Sequence, residues 1–255
     1  MPSSYLERVA GMPALRAIAQ GSLDLLKLVS GERVLEVGCG TGVFLTALAT
    51  AVGPTGQVVG IDHAEPFVER ARERVHSLEQ VRVEQSDAYR LPFADEAFDA
   101  AHCERLLMHL EDPVTALREM RRVVRPGGRV VAAEPDWAGL QIDHQDRTAI
   151  RMLIDRWQRA TNPSMGLRLN RHMAEAGLVN RTLVPVAIVA REYDELAAYG
   201  VDLGETAETL ANEGQLQRER GEAIVQELVA RSRDGTFCGY LLAFVGRGEV
   251  PKARA

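Results

Sequence analysis

The sequence predicts an α/β chain with an open, mostly parallel sheet covered by helices. Three observations carry that expectation. Short apolar runs alternate with amphipathic stretches along most of the chain, which is the pattern of strands joined by crossover helices. One run, Arg33 to Gly42, reads R-V-L-E-V-G-C-G-T-G, a strand breaking into three alternating glycines and then into helix-forming sequence. Finally, acidic residues recur where successive strands should end: Glu36, Asp62, Asp87 and Glu104.

Residues 5 to 29 place Leu6, Val9, Leu15, Ile18, Leu23, Leu25, Leu26 and Leu28 among polar neighbours, and Gly11-Met12-Pro13 divides them. One or two amphipathic helices before the sheet follow from that spacing. Val34, Leu35 and Val37 suit a strand buried on both faces. Gly38, Gly40 and Gly42, without Cβ atoms, permit positive φ and let a ligand approach the backbone, while the next helix offers N–H donors and a positive dipole end.

Val43 to Ala51 reads as a helix, stopped by Gly53-Pro54-Thr55-Gly56. The second strand, Gln57 to Ile61, runs into Asp62, twenty residues after Gly42. A carboxylate there is suited to accept hydrogen bonds from ribose hydroxyls, the reading preferred over a carboxylate that simply caps the helix beginning near Ala64. Glu65 to Ser77 makes a helix and Val81 to Glu84 a third strand, followed by Ser86-Asp87-Ala88. After a turn over Leu91 to Asp95, Phe98 to His102 makes a fourth strand that opens into Cys103-Glu104-Arg105 and reaches His109. Val114 to Val124 is helical, Arg125-Pro126-Gly127-Gly128 a turn, and Arg129 to Ala133 a fifth strand. Glu134, Asp136 and Trp137 emerge at its end, Trp137 as a flat apolar wall.

The spacing G-x-G-x-G after an acidic residue differs from the dinucleotide pattern G-x-G-x-x-G. It resembles the first motif of the Rossmann-like, class I S-adenosylmethionine-dependent methyltransferases. The run L-P-F-A-D-E-A-F-D at Leu91 to Asp99, the His109 and Asp112-Pro113 series, and V-R-P-G-G before a valine-rich strand are similar to the ubiquinone and menaquinone C-methyltransferase-like branch, often grouped as type 11. Residues 30 to 135 carry the resemblance.

The resemblance implies a three-layer sheet of order 3-2-1-4-5-7-6 with an antiparallel last strand, and S-adenosyl-L-methionine as cofactor, S-adenosyl-L-homocysteine being the product. It implies cofactor contacts at Glu36, Gly38, Cys39, Gly40, Gly42, Asp62, His63, Asp87, Ala88 and Cys103. Asp87 would face the adenine amine, and backbone carbonyls at Cys103 to Glu104 the methionine ammonium. His109 and Glu104 are the candidates for catalysis. His102, Glu134 and His144 are also sited where a base could act, and the sequence does not rank them. Tyr5, on an N-terminal helix that relatives fold over the site, could present its hydroxyl there or be an ordinary surface or core tyrosine.

Beyond residue 137 the alternation is decorated. His144 to Thr161 reads as a cap helix, Leu167 to Ala176 as a helix packed on the sheet, and Thr182 to Ala190 as a sixth strand whose Pro185 favours an edge or bulge. Polar helices over 193 to 234 precede a closing strand, Thr236 to Gly246. The chain is therefore expected to be one domain, 1–255, with N-terminal helices over 1–29, a cofactor-binding core over 30–135, and cap or lid insertions at 138–166 and 193–234.

Composition narrows the partners. A net charge of −6 gives no support to capture of nucleic acid, and Arg118, Arg121, Arg122, Arg125 and Arg129 read as decoration of one helix end and its turn. Cys39, Cys103 and Cys238 show neither C-x-x-C spacing nor a disulfide framework, so no metal is implied and a reducing cytoplasm is the expected home. No stretch approaches the ~18 apolar residues of a membrane span. The expected acceptor is a small apolar or aromatic metabolite of quinone, polyketide or other natural-product type. A non-catalytic adenosyl-binding module, an RNA or protein methyltransferase and an NAD-dependent oxidoreductase are the alternatives. The added helices also offer a surface for a homodimer.

Overall fold

The computed structural model describes residues 11–158 and 162–252. Tyr5, Leu6 and Val9, and the end of the expected helix at Thr161, lie outside the described residues. Helix α1 (Pro13–Leu26) starts with proline in its first turn and stops at Lys27, whose φ of 47° closes the last turn. Strand β1 (Arg33–Val37), α2 (Leu45–Val52), β2 (Gln57–Asp62), α3 (Glu65–Val75), β3 (Val81–Gln85) and β4 (Phe98–Glu104) follow. A single 3-10 turn, Leu107–His109, leads to α4 (Pro113–Val123), where Asp112 caps the helix by accepting from the Thr115 N–H at 3.0 Å.

Strand β5 (Val124–Pro135) absorbs the expected Arg-Pro-Gly-Gly turn as an irregularity, its register against β4 slipping between Phe98 and Ala100. A 3-10 turn at Trp137–Gly139 and the two-residue strand β6 (Gln141–Ile142) precede α5 (Arg147–Gln158) and α6 (Met165–Glu175). Then come β7 (Val179–Ala190), the helices α7 (Tyr193–Ala198), α8 (Leu203–Asn212) and α9 (Arg218–Arg233), and β8 (Gly239–Glu249).

The sheet runs β3-β2-β1-β4-β5-β8, with β8 antiparallel to β5 and β7 antiparallel on the far side of β8. Ignoring β6, which pairs only with the start of β8, this is the expected order with its antiparallel closing strand. Pro185 does sit on an edge, since β7 pairs only with β8 among the described strands.

Side-chain alternation shows how the layers form. Val245 lies against Gly21 of α1, while its neighbour Gly246 lies against Leu169 and Met173 of α6, so these helices cover opposite faces. Val34, Leu35, Ala100, Ala101, Val130 and Val131 are sealed between them. The segments 138–166 and 193–234 meet each other: α5 packs on α8, α9 on α7 and α8, and α7 on β7.

The clustered arginines are internal ties. Arg122 binds Glu119, Asp95 and the carbonyls of Leu91 and Phe93; Arg125 binds Asp99; Arg129 binds Glu32 and the carbonyls of Leu26 and Lys27. No helix among the described residues is long and apolar enough to cross a membrane.

Candidate functional site

At the carboxyl end of β1 the chain turns through Gly38, Gly40 and Gly42, with φ of 74°, 52° and 75°. The N–H groups of Gly38 and Cys39 both donate to the Ile61 carbonyl at 2.8 Å, hooking the turn onto the end of β2. Two close approaches explain the missing side chains. A Cβ on Gly38 would sit 3.0 Å from Leu106 of the segment after β4, and one on Gly42 would sit 3.0 Å from Ala71 of α3.

Asp62 closes β2 and is buried. Its Oδ2 accepts from the Gly40 N–H at 2.9 Å and its Oδ1 from the Ala64 N–H at 3.0 Å. The carboxylate thus braces the glycine turn and caps the following helix at once, and each oxygen retains a lone pair for a ligand. His63, next in sequence, is exposed with Nδ1 3.4 Å from Asp62 Oδ1. Beyond β3, exposed Asp87 accepts from the Tyr89 N–H at 2.9 Å, and Ala88 is half-buried beside it. The Tyr89 hydroxyl in turn accepts from the Asp112 N–H at 3.1 Å, joining this loop to the turn before α4.

Strand β4 ends in Cys103 and Glu104, and Arg105 follows at a φ of 52°. Burial first, then the carboxylates of Glu134, Glu36 and Glu104, holds the Cys103 thiol well above its usual range; burial, Asp62 and Glu36 do the same to Cys39. Neither sulfur is a nucleophile at neutral pH. Burial also raises the Glu104 carboxyl, against the opposing charge of Arg105, whose Nε stands 3.3 Å away.

Three of the candidate bases turn out to be braces. His102 is wholly buried, with Nδ1 2.7 Å from Oε2 of buried Glu36. Glu134, also wholly buried, accepts from the N–H groups of Leu106 at 2.9 Å, Leu107 at 2.6 Å and Met108 at 3.3 Å. His144 sits among the added helices, accepting from the Asp146 N–H and facing Glu227 at 3.3 Å. His109 and Glu104 remain. The His109 ring is at the surface of its 3-10 turn, and crowding by protein atoms, then the charges of Arg105 and His63, lower its pKa from 6.5.

Trp137 is not the open wall expected of it. It is buried edge-on against Trp157 at 5.0 Å, and its carbonyl accepts from Gln158, because the helices after β5 fold back over it. The pairing of Glu36 with His102 and the anchoring role of Glu134 were missed from sequence, where neither residue shows a spacing to its partner.

The arrangement is acid-rich at one edge: Glu36, Asp62, Glu104 and Glu134 lie at or near the carboxyl ends of β1, β2, β4 and β5. Glu134, which burial lifts to about 8, holds its proton at neutral pH, and the remaining acids of this edge favour a cation over a pyrophosphate. The residues present therefore fit an adenosyl sulfonium amino acid: a diol acceptor in Asp62, a side-chain-free turn, and carboxylates for positive charge. They do not fit a nicotinamide dinucleotide.

Comparison with known proteins agrees. A methyltransferase domain family model matches residues 28–177, more than half of the chain. A 37.1 kDa protein of transposon TN4556 from Streptomyces fradiae is 42% identical over 193 residues, covering 74% of this chain and 55% of that protein. The demethylmenaquinone methyltransferase of Staphylococcus aureus is 43% identical over 115 residues, covering 45% of this chain and 48% of the enzyme. The chain thus spans about half the length of these curated relatives. The crystal structure of the YcgJ protein from Bacillus subtilis superposes with a TM-score of 0.65 at 19% identity, covering 93% of this chain and 100% of that one, and shows the same fold. With the sheet order, the glycine turn and the family match in agreement, the chain belongs to the class I S-adenosylmethionine-dependent methyltransferases.

Proposed function

We propose that the protein transfers a methyl group from S-adenosylmethionine to a small apolar or aromatic acceptor, with the cofactor along the carboxyl edge of β1, β2 and β4. The observation that carries this reading is the juxtaposition of the bare glycine turn with buried carboxylates on successive strands. The likeness of 115 residues of the chain to a demethylmenaquinone methyltransferase supports a small acceptor.

When bound, the cofactor supplies a methyl already activated by its positive sulfur. What remains for the protein is to bind, orient and keep water out, and orientation by itself can supply roughly 7–11 kcal/mol. Asp62 takes the ribose hydroxyls, with His63 beside it, and Asp87 and Ala88 flank the adenine. Glu36, Cys39 and the glycines shape the floor, and the backbone at Cys103 and Glu104 meets the methionine end. Helices α5, α7, α8 and α9 cap the acceptor side and exclude solvent. His109, whose pKa crowding lowers from 6.5, takes the proton from the acceptor in this reading. A reducing cytoplasm suits the free thiols of Cys39, Cys103 and Cys238.

Titration calorimetry with S-adenosylhomocysteine tests the reading. Asp62→Ala should weaken binding by about 1.5–3 kcal/mol, the worth of hydrogen bonds to a charged group. Wild-type protein that takes up neither the cofactor nor its demethylated product would overturn it.

A further inference from the structure

The sheet face that α6 covers at one end is bare at the other. Along β8, Gly246 lies against Leu169 and Met173 of α6, whereas Phe244 is half-buried, and Leu242 and Tyr240, the next residues on that face, are 36% and 47% exposed. Register sets Ala187 of β7 opposite Leu242, and Val189, 52% exposed, opposite Tyr240. On the other face Leu241, Ala243 and Val245 are wholly buried. Large apolar side chains left together in water mark a surface that meets a ligand or partner.

Where this strip reaches the start of β8 it runs into a cleft of about 560 Å3, within the size range of small-molecule sites. Helix α5 forms one wall with Arg147, Ile150, Arg151 and Ile154, a single stripe at helical spacing. Opposite stand Gln141 and Ile142 of β6 with Cys238 and Tyr240. No residue of β1, β2 or β4 lines the cleft, so it lies apart from the strand ends read as the cofactor edge.

The charges around it do not cancel. Asp143 is taken by Arg231, which binds both its carboxylate and its carbonyl. His144 is buried, accepting from the Asp146 N–H and facing Glu227. Arg151 is shared with Asp155, one turn on. Arg147 is exposed and has no hydrogen-bond or ion-pair partner among the described residues. The mouth therefore presents a free guanidinium beside an apolar lining, the complement of a negative head on a hydrocarbon body.

We propose that this cleft binds an amphipathic carboxylate, its head at Arg147 and its straight chain running over Ile142, Ile150 and Tyr240 toward Leu242 and Val189. A compact anion leaves the strip uncovered, and a neutral chain leaves the guanidinium unused. The site is additional to the one for methyl transfer and does not depend on that reading.

Cys238 reports on the cleft, since its thiol is exposed while Cys39 and Cys103 are buried. Uncharged iodoacetamide alkylates it in the full-length protein, and mass spectrometry follows the rate with decanoate kept below its micelle concentration. Bound decanoate should slow the reaction. The half-protecting concentration should fall roughly threefold to fourfold for each methylene added from octanoate to decanoate, the worth of a buried CH2. Decanol should protect at least about tenfold less well, Arg147→Gln should weaken decanoate by about tenfold, and Arg147→Lys should restore most of the loss. S-adenosylhomocysteine uptake should be unchanged in both variants. The proposal is overturned if decanoate leaves the rate unchanged, if decanol protects equally, or if decanoate protects Arg147→Gln like wild type. Loss of S-adenosylhomocysteine uptake in Arg147→Gln would merge the cleft with the cofactor site and overturn it too. So would protection that grows with protein concentration alone, which assigns the strip to a second copy, or protection by anionic vesicles and not by free decanoate.

Discussion

Glu36 and His102 are register partners across β1 and β4, joined by a 2.7 Å contact from carboxylate Oε2 to imidazole Nδ1 with both side chains sealed from solvent. The pair stitches the two strands between which the sheet order reverses, directly beneath the glycine turn. Phe44, at the start of α2, tilts over the imidazole at 4.6 Å and closes the space.

Breaking this pair from one side strands a buried carboxylate. His102→Phe should cost roughly 3–5 kcal/mol in urea unfolding. Adding Glu36→Leu to it should cost less than the sum of the single changes, because the second removes the charge the first left alone. Additive losses would show that the two side chains do not act as a unit.

Glu134 makes stability depend on pH in the opposite sense to an ordinary surface carboxylate. Burial lifts it from 4.5 to about 8, outweighing the three N–H donors that favour the charged form. Between those values the folded protein holds a proton that the unfolded chain has released, so stability falls as pH rises, by up to about 1.4 kcal/mol per unit. Glu134→Gln has no proton to lose. The Tm difference between wild type and this variant should therefore shift steadily against wild type from pH 5 to 8, and parallel pH profiles would refute the assignment.

Gly42→Ala puts a Cβ 3.0 Å from Ala71 in a backbone held at a φ of 75°. The left-handed conformation costs about 1–2 kcal/mol for a residue with a side chain, and α3 must also give way. A Tm drop of several degrees with weaker S-adenosylhomocysteine binding is expected; an unchanged Tm would mean that the turn relaxes freely.

For His109, crowding and the charges of Arg105 and His63 hold the imidazole below 6.5. As the base it must be neutral, so turnover should rise with pH through a midpoint under 6.5 and then level off. His109→Asn should lower kcat about a hundredfold or more and remove that acid limb. A variant with full turnover and the same limb would leave His109 a structural residue.

Much of this was legible locally. The glycine turn, the strand-ending acids and the edge position implied by Pro185 each follow from residues within a few positions of one another. Trp137 shows the limit: it looked available to an acceptor, and α5, which returns to bury it against Trp157, is a contact twenty residues away. His102 and Glu134 looked like bases for the same reason, since a side chain's partner is invisible until the strands are laid side by side.

By itself the sequence determined where strands and helices form, which turn is free of side chains, and the family whose sheet order and cofactor it shares, because periodicity, caps and glycine φ are properties of neighbouring residues. The tertiary structure alone decided which carboxylates brace the fold. Glu36 meets His102 and Glu134 meets the 106–108 backbone through pairings 66 and 26 to 28 residues apart, set by strand register and burial.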